Sequence, residues 1–524
     1  MNQSDLKLKY PLVLVVLAIA IALRWQGAMP PFDDAYHLKR ITAFPPLIEF
    51  DRDRGENGAW CPWPPLYDVA MSAIPRVEWA PVVGFAAFAA ALAWLMATRA
   101  GWIAGLIAGG ATAISPYLIG VSHRGAIDHH WVEPALVVGI LLATERRRPL
   151  LLALSLTIAM FVQTALLVAA AIAFAILFFD GYGSPQRHRE PQRSQRLFLA
   201  FKELGALRGS LCLCGEQSLW TSFAIPAIAI ALYRVTRPPG YPDTIWFLGW
   251  AHAAVFAAAA ICLLDAPLIA ATLLAPFLPT LASGTHFFSG DPWLRSILEF
   301  QPMFRDAAGI GTDIANLSGG ALLAFTLWRR ERTVAIFSIA YLVLALSSRR
   351  FLVPAIALFA IAGALAAVKR PWIAVLATLL PPLCYDAYAV MHREPQDTTV
   401  IAIARTVAAK PPGRVLAPWW IGHAIDVIGK HAVVIDNFGS MPGETVFANA
   451  SDALLQRHPD MLRDYMKQRG VRYLVLSDAI AGLPATAASI GIDATMYRGT
   501  KLARSTVWWK LTHHERVPGF QSVQ

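Results

Sequence analysis

Between two long apolar runs, roughly residues 101–120 and 131–144, stands the stretch His123-Arg124-Gly125-Ala126-Ile127-Asp128-His129-His130-Trp131. A carboxylate and two imidazoles at the mouth of a membrane span are costly to place there without partners. Asp128 and His130 share a face if the segment is extended, because side chains two apart point the same way. A carboxylate oxygen with an imidazole nitrogen is part of a shell for a divalent metal of the manganese, zinc or iron type. The same cluster also reads as a polar loop at the lipid headgroups. Two ligands do not make a site, so further donors must come from elsewhere in the chain.

Four other stretches carry candidates. Asp33-Asp34-Ala35-Tyr36-His37 has adjacent carboxylates, whose joint ionisation is disfavoured unless a cation neutralises them; a solvated acidic patch with Asp51, Asp53 and Glu56 is the alternative. In Ser296-Ile297-Leu298-Glu299-Phe300-Gln301-Pro302, the glutamate is flanked by apolar residues, which suits a partly desolvated acceptor or base, or a surface amphipathic turn. Ser347-Ser348-Arg349-Arg350-Phe351 offers an arginine that either snorkels to headgroups or clamps a diphosphate with its planar donor fork. Pro418-Trp419-Trp420-Ile421-Gly422-His423 holds a tandem tryptophan, either core or a platform at a domain–membrane seam.

The elements that must position these residues follow from composition. The chain has 524 residues, 56% hydrophobic and only 15% charged, with mean hydropathy +0.48. Soluble domains carry roughly 25% charged residues; here the apolar residues fall in runs long enough to span hydrocarbon, and a polytopic α-helical membrane protein is expected. The net charge of +10 lies mainly in loops and reads as topology and headgroup contact rather than as a nucleic-acid footprint. The five cysteines, including Cys212 and Cys214, form neither a disulfide framework nor a structural zinc site. Residues 1–24 carry Lys7 and Lys9 before an apolar run with no small-residue cleavage site, so a retained first span is expected.

The apolar runs predict about thirteen spans, the first near residues 10–24 and the last near 371–390. A break falls at Gln163-Thr164, and a basic loop at about 180–217 belongs in the cytoplasm. With a cytoplasmic amino terminus, Arg146-Arg147-Arg148, Arg329-Arg330-Arg332 and Lys369-Arg370 all fall inside. Parity then puts loops 25–77, 121–130 and 283–310 on the external face, together with residues 391–524. The latter read as a soluble α/β domain, with strands at 414–417, 432–435 and 471–476 and helices near 421–428 and 452–468. All the candidate residues therefore share one face.

Taken together, the chain resembles the catalytic subunits of oligosaccharyltransferases, in their single-subunit bacterial and archaeal form, which belong to the GT-C class of membrane glycosyltransferases. The resemblance spans essentially the full length. Asp34 in Asp-Ala-Tyr matches the family's first-loop catalytic aspartate, and Asp128-His129-His130 its second acidic motif with histidine in the last place. Ser296 to Glu299, followed by Gln301-Pro302, matches the TIXE/SVSE motif, and Arg350-Phe351 the pair that contacts the lipid diphosphate. Two departures stand out. Pro418 to His423 occupies the place of the WWDYG motif, whose aspartate helps read an Asn-x-Ser/Thr acceptor; in either register that carboxylate is absent. Val121 replaces the arginine expected seven residues before Asp128, with Arg124 the nearer cation.

The resemblance implies a GT-C transmembrane domain over residues 1–390 and a periplasmic α/β domain over 391–524, in a bacterial inner membrane. It implies transfer of a glycan from a polyprenyl-diphosphate donor to an acceptor polypeptide at asparagine. Asp34 and Glu299 would be catalytic, and Asp34, Asp128 and His130 would hold Mn2+ or Mg2+. Arg350 would hold the donor diphosphate; Trp419, Trp420 and His423 would bind the acceptor. The alternative enzyme is a GT-C transferase moving a sugar from a polyprenyl monophosphate to a hydroxyl, lipid or glycan acceptor. A transporter is disfavoured by the lack of an internal repeat.

Overall fold

The computed structural model describes residues 3–27, 30, 32–182, 219–284, 291–305, 309–391, 399–441 and 444–521. Most of the basic loop 180–217, parts of the 283–310 loop and the junction between the two expected domains lie outside the described residues.

Three helices are long and apolar enough to cross a membrane, Val77–Ala100, Arg349–Ala366 and Pro371–Ala389; a bent pair, Ile310–Leu317 with Gly319–Leu327, makes a fourth if taken as one span. Other apolar runs appear as helices of 10–17 residues. Among the described residues, then, three or four helices meet the length of a full span and the other apolar runs are shorter helices, several of them set off by proline or polar breaks. The 101–120 run is a helix Trp102–Ile114, then Ser115, whose hydroxyl accepts from Leu118 N, then a short turn Pro116–Gly120. Proline has no N–H to continue the ladder, and the residue before it avoids helical geometry. The Pro149–Val162 helix stops at Gln163, whose backbone is extended, and the chain resumes as Thr164–Leu166 and Leu167–Tyr182.

At the centre of the bundle runs Leu352–Ala366, nearly every residue of it buried. It packs against Trp102–Ile114, Ile310–Leu323, Arg332–Ser347 and Glu133–Glu145. Helices that lack a hydrophobic drive toward one another in lipid close up through small residues. Gly320 shows this: a Cβ there would lie 2.1 Å from the Phe359 carbonyl oxygen. The central helix opens with the turn Arg349–Phe351, so its position fixes where Arg350 stands.

The first external loop folds as a helix Asp33–Ala43, a short antiparallel ladder of Phe50–Asp51 with Ala59–Trp60, and a helix Leu66–Ser72. It is bound to the carboxy-terminal domain. Arg54 is buried against Asp436, Lys39 lies 2.8 Å from Asp426 and 2.7 Å from Asp51, and Val433 N donates to the Asp53 carbonyl at 2.8 Å. In that domain Arg414–Leu416 pairs in parallel with Val471–Leu474. The strand expected at 432–435 is reduced to bridges from Val433 to Val415 and Arg54. The helix expected at 452–468 is two, Glu444–Leu454 and Pro459–Gln468, the second opening on a proline, which suits the first helical position. The domain is therefore mostly helical around a small parallel sheet.

Candidate functional site

The Asp128 loop is pinned from two sides. Trp131 Nε1 donates to the Tyr67 hydroxyl at 2.8 Å, and that hydroxyl donates to the Ile127 carbonyl at 2.6 Å. The indole occupies the place above Gly84 where a Cβ would come within 2.3 Å of the ring, so this packing requires glycine. From the other side the Asp128 peptide N–H donates to Asp34 Oδ1 at 3.0 Å.

So held, Asp128 gathers three imidazoles. Its Oδ1 is 3.1 Å from His37 Nε2 and 2.6 Å from His129 Nδ1, and its Oδ2 is 3.1 Å from His130 Nε2. The turn His129–Val132 runs straight into the helix Glu133–Glu145, which sets Glu133 three residues after His130 and on its side. Glu133 Oε1 is 3.0 Å from His130 Nδ1 and 3.6 Å from His129 Nε2. Gln163, at the break the sequence marks, places its amide nitrogen 2.7 Å from His129 Nε2.

Arg350 closes the cluster from the central helix. Its guanidinium lies 2.6 Å from Glu133 Oε1, 3.0 Å from Glu299 Oε1 and 2.5 Å from His130 Nδ1. Glu299 is carried by the turn Leu298–Phe300, and its Oε1 is 3.7 Å from His130 Nε2. Two bonds set that turn against the central helix: Arg349 N donates to the Gln301 carbonyl at 2.9 Å, and Ser348 Oγ to the Glu299 carbonyl at 3.4 Å. Arg349 itself is spent on Asp313, with bonds of 3.0 and 2.8 Å.

Behind His37 stands a support that no pattern in the sequence foreshadows. His37 Nδ1 is 2.5 Å from Asp68 Oδ1, whose other oxygen pairs with Arg40, and Trp63 stacks on the imidazole at 3.9 Å. Burial disfavours charge on His37, but Asp68 and Asp128 outweigh it and hold the imidazole up to about 10. Burial and then Asp128 push the Asp34 carboxyl up to about 7. Burial lowers His129, so it stays neutral, a state in which an imidazole nitrogen can ligate metal.

A cavity of about 490 Å³ opens on this cluster. Asp33, His129, His130, Gln163, Glu299 and Arg350 supply much of its polar lining, and Trp63, Trp246, Trp293, Trp419 and Trp420 much of the rest. Asp34 does not line it; of the two adjacent carboxylates it is Asp33 that does. His423 is also set back, fully buried, with its ring stacked on Tyr36 at 4.8 Å and Nε2 3.6 Å from Asp33 Oδ1. Its backbone N–H donates to Asn437 Oδ1 at 3.4 Å, and Asn437 does line the cavity. Ile421, between the tryptophans and Gly422, points into the core. Arg124 lies over the Trp79 ring at 4.8 Å and is not part of the lining.

Among the described residues, two groups hold three ligand atoms within 4.8 Å of one another: His37, Asp128 and His129, and His129, His130 and Glu133. Of the expected trio, Asp128 and His130 meet, while the contact the structure gives Asp34 is with the Asp128 backbone. The set fits a dication. With Nδ1–H directed at Asp68, His37 Nε2 faces a carboxylate oxygen at 3.1 Å and an imidazole nitrogen at 3.2 Å, an arrangement that requires a proton or a cation on Nε2. His37, His129 and Glu133 complete the cluster; His129 stands in the Asp128-His129-His130 motif but outside the expected ligand set, and His37 and Glu133 are not marked as ligands by the sequence. His37 follows Asp34 by three and Glu133 follows His130 by three, the helical spacing that could have found them. Asp68 left no such signal.

No family model matches the chain, and no curated protein matches it significantly in sequence. Solved structures do. The archaeal oligosaccharyltransferase AglB from Archaeoglobus fulgidus, in complex with an inhibitory peptide and a dolichol-phosphate, aligns with a TM-score of 0.71 at 16% identity, over 97% of this chain and 78% of that one. The Archaeoglobus fulgidus oligosaccharyltransferase tethered to an acceptor peptide containing the NVT sequon aligns with a TM-score of 0.66 at 16% identity, over 96% and 77%. Its complex with Zn and sulfate aligns with a TM-score of 0.61 at 16% identity, over 92% and 70%. Across nearly its whole length, this chain has the fold of the archaeal oligosaccharyltransferase.

Proposed function

We propose that the chain is a membrane glycosyltransferase of the oligosaccharyltransferase kind. It moves a glycan from a polyprenyl-diphosphate donor to an asparagine side chain of a polypeptide. Residues 1–390 act as the transmembrane catalytic domain and 391–524 as the domain above it, on the periplasmic face of a bacterial inner membrane. The observation that carries this reading is the meeting of Asp128, His130, Glu299 and Arg350 beside one cavity that Trp419 and Trp420 of the carboxy-terminal domain also line. The peptide and the dolichol-phosphate held by the archaeal neighbours support a polypeptide acceptor and a lipid-linked donor.

The chemistry asked of the residues is electrostatic and positional. Arg350 presents its donor fork to the diphosphate oxygens, a match of planar donors to paired acceptors. In the resting state that fork is shared with Glu133 and Glu299. Arrival of the diphosphate draws the guanidinium away from Glu299, the more exposed partner, and leaves that carboxylate to accept a hydrogen bond from the acceptor nitrogen. Asp34 acts by setting the Asp128 loop through the peptide N–H, and Asp33 beside it, on the cavity, is the second carboxylate to accept a hydrogen bond from the acceptor nitrogen. A divalent cation on Asp128, His130 and the imidazoles around them would offset the charge developing on the leaving diphosphate. Imidazole ligands favour manganese over magnesium, which prefers oxygen. Trp419 and Trp420 bind the acceptor, with His423 holding Phe438 and Asn437 of the cavity lining in place.

Transfer from a synthetic polyprenyl-diphosphate glycan to a fluorescent asparagine-containing peptide tests this, using purified protein. Asp128→Ala and Glu299→Ala are each expected to lose at least about 100-fold in rate, the scale of losing an electrostatic group that acts in the transition state. Near-normal transfer by these variants refutes the assignment. Transfer from a polyprenyl monophosphate but not from the diphosphate replaces it with the hydroxyl-directed alternative.

A further inference from the structure

His252 is the third residue of the helix Trp250–Leu263, and it lines the same cavity, as Gln163, Thr164 and Trp246 do. The ring is 1% exposed. Gly249 N donates to its Nδ1 at 3.4 Å, which makes Nδ1 the acceptor and leaves the proton on Nε2. That Nε2 is buried and has no hydrogen-bond partner among the described residues. Two further buried N–H groups without partners, Trp293 Nε1 and Trp419 Nε1, belong to residues lining this cavity. Buried polar groups in folded proteins are satisfied as a rule, so three orphan donors on one cavity imply an occupant rich in acceptor oxygens. The indole faces around them suit an occupant with flat apolar faces as well. A saccharide has both: ring C–H faces to lie on indoles, and hydroxyl or amide oxygens at the rim.

We propose that His252 is a sugar-binding residue for the donor, giving its Nε2–H to a hydroxyl or N-acetyl oxygen of the sugar joined to the diphosphate. This rests on the glycosyltransferase reading. The helix of His252 packs against Leu167–Tyr182, which follows Gln163 and Thr164, and the Gln163 amide touches His129 of the cluster. The same hydrogen bond made to a phosphate oxygen would be blind to the sugar, so the probes must separate the two.

The experiment compares wild type, His252→Ala and His252→Gln, the last keeping an N–H of similar reach. Binding of a polyprenyl-diphosphate glycan and of sugar-free polyprenyl diphosphate is followed by tryptophan fluorescence, alongside KM and kcat for transfer. His252→Ala is expected to weaken the glycan donor about tenfold, the scale of one hydrogen bond, and to leave the sugar-free probe unchanged. His252→Gln should recover most of that loss, which a purely structural defect would not do. Unchanged glycan affinity in His252→Ala overturns the proposal, and so does an equal loss for both probes, which assigns the contact to phosphate. Failure of the broader reading looks different: wild type would bind both lipids without transferring sugar.

Discussion

Asp68→Asn is the sharpest single test of how the proposed metal-holding cluster is supported. Asp68 touches no substrate; it holds His37 Nδ1 at 2.5 Å, and through it aims Nε2 at Asp128 and His129. The amide oxygen of asparagine can still accept the N–H, so ring orientation survives, but the negative charge that raises the basicity of Nε2 is gone. Changing an outer partner of a ligating imidazole weakens metal binding about 10–100-fold, or about 1.4–2.7 kcal/mol. Arg40 loses its carboxylate partner but keeps its bond to the Ile48 carbonyl at 3.0 Å. The direct assay is Mn2+ titration of detergent-purified protein by calorimetry, with the electron-spin signal of free Mn2+ as a second readout. The midpoint should move up by that factor, and transfer activity should return at saturating Mn2+. An unchanged midpoint removes His37 from the metal-holding set. A loss of activity that no amount of metal restores means that Asp68 serves only the local fold.

Arg350→Lys keeps the charge but loses the planar fork, and a fall in the rate of transfer of about 100-fold is expected in the peptide assay; a fall of less than a few fold would argue against a diphosphate clamp. Arg54→Met leaves Asp436 buried without its partner, and breaking such a pair costs about 3–5 kcal/mol. Thermal unfolding should show a large drop, and Arg54→Met with Asp436→Leu together should recover most of it; an additive double variant would show that the pair is not coupled. Asp426 is pushed up to about 7, mainly by burial, with Lys39 only partly opposing. Its folded value lies above the unfolded one, so the stability it contributes is whole below about pH 4 and is lost as pH rises through 7, at no more than about 1.4 kcal/mol per pH unit. Asp426→Asn should therefore gain in melting temperature relative to wild type between pH 5 and pH 8; parallel profiles would contradict this.

What the sequence determined by itself was class and local chemistry. Apolar runs announce membrane helices whatever their arrangement, because hydrocarbon accepts only such segments. Asp128, His130, Glu299 and Arg350 could be named from their types and neighbours, and the break at Gln163 from its polarity within an apolar run. Span count was less legible, since Ser115-Pro116 and Gln163 divide runs that hydropathy averages into one. Only the tertiary structure decided which groups work together. Asp33 and Asp34 are indistinguishable as letters, yet the phase of the Asp33–Ala43 helix turns one to the cavity and the other to the Asp128 backbone. Asp68 reaches His37 because two helices of one loop fold face to face, and Arg350 reaches Glu133 and Glu299 because a central helix packed through small residues delivers it there. A buried charge is stable only beside its partner, and across separations of 217 and 51 residues that partner is fixed by packing, which no local pattern records.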